Sequence, residues 1–172
     1  MPKPNLIIVL ALAIVSISFV AADLEYKDVL GGDMKMLIPN NFIHITKEAY
    51  KLHYDGDIAP DDYYCNKDTS ESIGLLSMPK KTNDFVWCRN MVNMAFLSQA
   101  SKTYFNDTTT INGNKAYVAV FEGTDVGKLK YMTMFFINVK EKVVMGGITC
   151  DIKLEHEWMP TSEKILKSIK LN

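Results

Sequence analysis

Tyr131 to Val139 (Tyr-Met-Thr-Met-Phe-Phe-Ile-Asn-Val) is apolar at almost every position. A strand with one wet face alternates apolar and polar residues, whereas an almost continuous apolar strand must be covered on both sides. The chain is therefore required to build a sheet with a packed layer on each face. The flanking sequence supplies the sheet. Strands are expected at about 102–111, 115–122, 129–139 and 143–153, the first two joined by Asn112-Gly113. That pair is the favoured two-residue hairpin connection, because both residues accept a positive φ. Four consecutive hairpin-linked strands make an antiparallel meander.

The covering layers come from elsewhere in the chain. Met34 to Ile38 alternates with polar residues and reads as a first strand, which Pro39 terminates because it cannot donate to a ladder. Thr46 is an N-cap candidate for a short helix through about His53. A second strand is expected at Ser72 to Met78, ended by Pro79. From Asn83 or Asp84 to about Gln99 a helix carries Phe85, Cys88, Val92 and Phe96 on one stripe with Trp87, Met91 and Met94 beside it, a wide apolar arc suited to a sheet. A last helix at about 158–169 sets Trp158, Ser162, Ile165, Leu166 and Ile169 on one face, with Pro160 in its first turn. The expected fold class is α+β: a three-layer α/β/α sandwich around a mostly antiparallel six-stranded sheet, with helices on both faces.

Leu6 to Phe19 is an unbroken apolar run preceded by Lys3 and followed by Val20-Ala21-Ala22, the layout of a secretory signal peptide cut after Ala22. The charge-free stretch, Pro4 to Val20, is short for a membrane span, which takes about 20 residues. The expectation is a signal peptide over 1–22 and a single domain over 23–172, secreted or periplasmic, with no stable membrane insertion after cleavage; the alternative is that the segment is kept as an uncleaved N-terminal anchor. Export separates a protein from ready supplies of nucleotides and nicotinamide cofactors, and no cofactor is expected. Removal of 1–22 takes away Lys3 alone among charged groups. Of 19 basic residues 18 then remain against 20 acidic ones, a net charge of −2. Nucleic acid is an unsuitable partner for such a surface.

No reactive constellation stands out. Cys65, Cys88 and Cys150 are an odd set, compatible with one disulfide and a leftover thiol, or with three small buried hydrophobes. The three histidines are scattered, and no Cys-x-x-Cys step suggests a metal. His156-Glu157 lacks a second histidine at helical spacing, and His44 reads as a hydrogen-bonded core residue. The 123–129 segment has one residue too few between its glycines for a phosphate loop and Leu129 where a hydroxyl is needed. Asp55-Gly56-Asp57 fails the calcium-loop pattern. Asn106-Asp107-Thr108 is a glycosylation sequon, meaningful in a eukaryotic source. The segment from Asp55 to Asp68 reads as an acidic, aromatic surface loop. Its Asp57, Asp61, Asp62, Tyr63 and Tyr64 form the candidate partner-binding loop, tyrosine offering large contact area at low entropic cost.

The opening strand closed by proline and soon an aromatic (Leu37-Ile38-Pro39-Asn40-Asn41-Phe42), the central helix, the Ile111-Asn112-Gly113 hairpin, the aromatic strand 131–139 and the terminal Trp158 and Ser168-Ile169-Lys170 together make the chain similar to the Mog1/PsbP/DcrB-like group. The resemblance runs from about residue 33 to 170. It implies a fold and a habit of binding proteins, since relatives include a small-GTPase partner, an extrinsic photosystem subunit and a bacterial envelope protein. No shared activity and no site residue come with it. The leading expectation is a non-enzymatic exported protein that binds or assembles with another envelope or secreted protein. One alternative is a small-ligand-binding or hydrolytic protein with a pocket between sheet and helix lined by Trp87, Tyr117 and Tyr131; another is a structural envelope protein.

Overall fold

A computed structural model describes residues 23–53, 58–80, 85–125 and 127–172. The expected signal segment, the Asp55-Gly56-Asp57 step, Asp57 of the candidate loop and the Asn83/Asp84 helix start lie outside the described residues. Within them, ten strands and three α-helices follow in the order β1 (Leu24–Val29), β2 (Met34–Pro39), β3 (Ile43–Ile45), α1 (Lys47–His53), β4 (Asp62–Cys65), β5 (Glu71–Pro79), α2 (Val86–Ala95), β6 (Lys102–Ile111), β7 (Asn114–Asp125), β8 (Lys128–Val139), β9 (Lys142–Asp151), α3 (Glu155–Lys167) and β10 (Lys170–Leu171).

The main sheet has the order β3-β4-β5-β9-β8-β7-β6 and is antiparallel at each pairing. It has seven strands where the sequence suggested six. The α+β, mostly antiparallel class holds, with helices on both faces of the sheet. The expected meander is present over β6 to β9. Asn112 (φ 46°) and Gly113 (φ 80°) both lie at positive φ in the hairpin turn that its residues predict.

β8 shows why two layers are needed. Tyr131, Phe135 and Ile137 join a core with Met34, Met36 and Ile38 of β2, Ile73 and Leu75 of β5, and Trp158 and Ile165 of α3. Met132, Met134 and Phe136 join a second core with Phe85, Cys88 and Val92 around α2 and Tyr117, Ala119 and Phe121 of β7. The register explains one glycine. Phe135 lies opposite Gly146 of β9, and its ring occupies the space a Cβ on Gly146 would need.

Besides the short unpredicted strands β1, β3 and β10, three elements depart from expectation. The first predicted strand, β2, does not enter the main sheet; it is the middle of a separate sheet, β1-β2-β10. That small sheet shares one core with α3 and is pinned to it where the Leu37 N–H donates to Ser168 Oγ at 2.8 Å. β4 replaces part of the predicted surface loop. α3 begins at Glu155, so Pro160 sits inside the helix rather than in its first turn. The lost backbone bond is tolerated because the helix is held by its buried face, Trp158, Ser162 and Ile165.

Thr46 caps α1 as predicted, its Oγ1 accepting the Ala49 N–H at 3.2 Å. The disulfide alternative is corrected: Cys65, Cys88 and Cys150 are buried thiols. Cys65 lies opposite Ser72 and Cys150 opposite Glu71, so strand alternation puts Cys65 and Cys150 on opposite faces of the sheet. Burial raises the Cys65 thiol and, together with the Glu71 charge, pushes Cys150 up to about 12.

Two measurements check this core. The native protein should leave all three thiols unmodified by Ellman's reagent at pH 8 and release three equivalents only in guanidinium chloride; one thiol equivalent or fewer after unfolding would contradict the packing. Gly146→Ala should lower the urea-unfolding free energy by at least about 2 kcal/mol, because Phe135 is enclosed by the core and has no free volume to move into.

Candidate functional site

The residues of the predicted partner-binding loop are largely spent on internal contacts. Asp61 accepts Lys47 Nζ at 2.9 Å and the Ser77 N–H at 2.8 Å. Partial burial works against its ionisation, but the Ser77 amide and the Lys47 ammonium hold its carboxyl below the usual value. Asp62 accepts the Leu30 N–H and meets His44 Nε2 at 2.9 Å. Tyr63 is half-buried with its ring edge-on to Tyr50 at 4.9 Å, and Tyr64 is buried against His44 at 4.7 Å. The surface-loop reading is thereby corrected over Asp62–Cys65, where acids disfavoured in strands are accepted because amides and cations meet them. His44, read from the sequence as a core residue, lies near the edge of the sheet with its ring half-exposed.

The aromatic trio of the pocket expectation is also separated. Trp87 is 44% exposed on the outer side of α2. Tyr117 is buried in the α2-side core, where its hydroxyl donates to Asn106. Asn106 Nδ2 in turn donates to Asn93 Oδ1 at 3.1 Å, so the sequon asparagine ties β6 to α2. Only Tyr131 faces α3.

A pocket between sheet and helix does exist on that face. It encloses about 310 Å³ between α3 and strands β6, β7 and β8. Two bridges produce it by holding α3 to the β6–β7 hairpin at its ends. At one end Tyr104 of β6 reaches both Glu122 Oε1 at 2.6 Å and Glu155 at the start of α3. At the other, Asn112 Nδ2 donates to the carbonyls of Lys167 at 2.9 Å and Ile169 at 2.6 Å. Between these ties Val118 and Val120 form the sheet wall, Met159 and Leu166 the helix wall, and Glu163 and Lys167 also line it.

The floor is polar. Tyr131, Thr133 and Ser162 are each only 2% exposed. Ser162 Oγ donates to the Met159 carbonyl at 3.0 Å, while Tyr131 OH and Thr133 Oγ1 reach it only at 3.4 Å. An O–H···O bond is normally 2.5–3.0 Å, so two buried hydroxyls keep most of their hydrogen-bonding capacity unused.

The neighbouring carboxylates are structural ties. Burial first, then the Glu122 and Glu155 acceptors, push the Tyr104 phenol well above its usual range. Its hydrogen bond is the largest influence lowering Glu122. On the other flank of α3, Trp158 Nε1 donates to Glu71, and Asn66 Nδ2 donates to the same carboxylate at 3.0 Å; burial nonetheless raises Glu71. Among the described residues no group of three or more His, Cys, Asp and Glu side chains is arranged to hold a metal ion, and no helix is long and apolar enough to cross a membrane.

The cyanobacterial PsbP protein CyanoP of Synechocystis sp. PCC 6803 superposes with a TM-score of 0.61 over 90% of this chain and 96% of its own, at 10% identity. LpqN of Mycobacterium tuberculosis, involved in cell envelope biogenesis, superposes with a TM-score of 0.57 over 87% of this chain and 91% of its own, also at 10% identity. The chain has a PsbP/Mog1-like fold. No family model matches the sequence, and no curated protein does. The PsbP/Mog1-like resemblance read from packing and turn residues is therefore a fold-level likeness.

The phenol bridge is testable by titration. A carboxylate held low in the fold adds stability above its unfolded value and loses it as pH falls through the folded value. In Tyr104→Phe the Glu122 pKa, followed by carboxyl carbon NMR, should move up toward the ordinary value of 4.5; an unmoved Glu122 would mean that the phenol is not its principal partner.

Proposed function

We propose that this is an exported, non-catalytic protein that binds another envelope or secreted protein through the β6 edge of its main sheet. The carrying observation is that edge. β6 is ten residues long, has no strand beyond it among the described residues, and contains no proline, one lysine and one aspartate. Proteins usually blunt such an edge with prolines, several charges or a very short strand. The opposite edge, β3, is three residues long.

The hairpin closes at the Ile111–Asn114 pair, so alternation directs the N–H groups of Asn106, Thr108 and Thr110 away from β7. The Thr108 N–H is capped locally by Asp107 Oδ1 at 2.7 Å, and an incoming carbonyl would replace that cap. Phe105, 42% exposed on the same strand, offers an apolar contact beside these groups. A partner segment that is extended and rich in β-branched residues fits this edge by strand addition.

Three further considerations support the reading. The 1–22 segment has the layout of an export signal. The fold is shared with LpqN, which is involved in cell envelope biogenesis. The perturbed side chains Tyr104, Glu122 and Glu71 are engaged in tying strands to α3, and the thiols Cys65 and Cys150 are made less ionisable by burial.

Crosslinking and affinity capture from the native envelope and secreted fractions should recover one saturable protein partner. Thr108→Pro, placed where the backbone N–H faces outward and a proline is tolerated at an edge, should abolish capture while leaving the far-ultraviolet circular dichroism unchanged. A purified chain that turns over a metabolite, or capture indifferent to Thr108→Pro, would overturn the proposal.

A further inference from the structure

We propose that the groove between α3 and strands β6–β8 binds a small uncharged amphiphile, its apolar body lying against Val118, Val120, Met159 and Leu166 and its oxygen hydrogen-bonding the buried hydroxyls of Tyr131 and Thr133. This goes beyond partner binding at the β6 edge and does not depend on it.

The case rests on the floor of the groove rather than on its volume. Buried hydroxyls are normally satisfied, and an unused donor in an apolar site carries a desolvation cost of about 1–3 kcal/mol. Here two such groups, on residues that are each 2% exposed, have Ser162 Oγ as their partner among the described residues, at 3.4 Å, and its own proton is already committed to the Met159 carbonyl. Each can donate to, or accept from, one oxygen placed above them.

The walls define the rest of the molecule. From Met159 to Lys167 the helix side of the groove rises through eight steps, about 12 Å at 1.5 Å per residue. The sheet side presents Ile111, Val118 and Val120 beside Tyr104, Phe105, Thr109 and Thr110, and the volume of about 310 Å³ lies at the lower end of small-molecule sites. A fused bicycle or a short acyl body bearing one hydroxyl or carbonyl fits these dimensions.

The absence of charge in that class follows from the lining. Glu163 and Lys167 both line the groove, so neither sign of charge dominates, and among the described residues no charged side chain hydrogen-bonds the Tyr131–Ser162–Thr133 floor. An ionised head would lose water without gaining a counter-ion there. The groove also persists without a ligand, because it is bounded by the Tyr104–Glu155 and Asn112–Lys167 ties rather than by soft packing alone.

Three probes separate the possibilities: 2-naphthol, naphthalene and 2-naphthoate, titrated into the full chain by calorimetry and by methyl NMR. The expected result is saturable binding of 2-naphthol, about tenfold tighter than naphthalene as one net hydrogen bond allows, with shifts in the Ile111, Val118 and Val120 methyls. Thr133→Val should erase most of that preference and leave naphthalene affinity within twofold. Leu166→Trp, which fills the groove from its half-buried rim, should remove binding of both. Tighter binding of 2-naphthoate would move recognition to Lys167 and overturn the uncharged class. Absence of saturable binding at millimolar probe, or binding without shifts in those three methyls, would overturn the site. Thr133→Val should leave capture of a protein partner intact, so failure here and failure of the β6 reading are distinguishable.

Discussion

The structure depends on the double burial of β8. Its side chains alternate between two separate cores, with Phe135 and Ile137 directed toward α3 and the small sheet and Met134 and Phe136 toward α2. Each large apolar side chain removed from water contributes about 1.5–3 kcal/mol, and neither set can be buried unless its own layer docks. The sheet is therefore stable only as the middle of a sandwich. Gly146 belongs to the same constraint, since the centre of one core is filled by the Phe135 ring lying where a side chain on β9 would be.

The two layers are not equivalent. On one face α2 lays Phe85, Cys88 and Val92 against β7 and β8. On the other the cover is shared by α3 and β1-β2-β10, and α3 packs against β2 and β9. That leaves the sheet surface toward β6 covered only by the margin of α3. The Tyr104 and Asn112 bridges hold the helix ends to the β6–β7 hairpin, and the space between them is the groove. The same strand, β6, forms both one wall of this groove and the long free edge of the sheet.

Much of the architecture was legible because local rules and global packing agree. Asn112-Gly113 specified a hairpin, the apolar run at 131–139 specified a doubly covered strand, and Trp158, Ser162 and Ile165 at helical spacing specified the buried face of α3; each is as expected. What escaped was non-local. β1 is half-exposed and weakly patterned, and β10 is two residues long, so neither carries a signal before β2 is there to pair with. β4 was hidden because Asp61 and Asp62 look like loop residues until Ser77, Lys47, Leu30 and His44 are seen to satisfy them. The expected pocket was real in kind but had the wrong lining. Trp87 and Tyr117 belong to the opposite side of the sheet from Tyr131, and a one-residue difference in register decides that side.

The sequence by itself determined the antiparallel meander and the requirement for a layer on each face, because these follow from periodicity and turn chemistry over a few neighbouring residues. Only the tertiary structure decided that Met34–Pro39 serves a separate sheet, that Cys65 and Cys150 lie on opposite faces of the main sheet, that Asp61 and Asp62 meet partners within the fold, and that Tyr131, Thr133 and Ser162 meet beneath a groove. Those outcomes rest on contacts between residues from 14 to more than 100 positions apart. Their pairing is set by the collective fit of the layers, which no local pattern encodes.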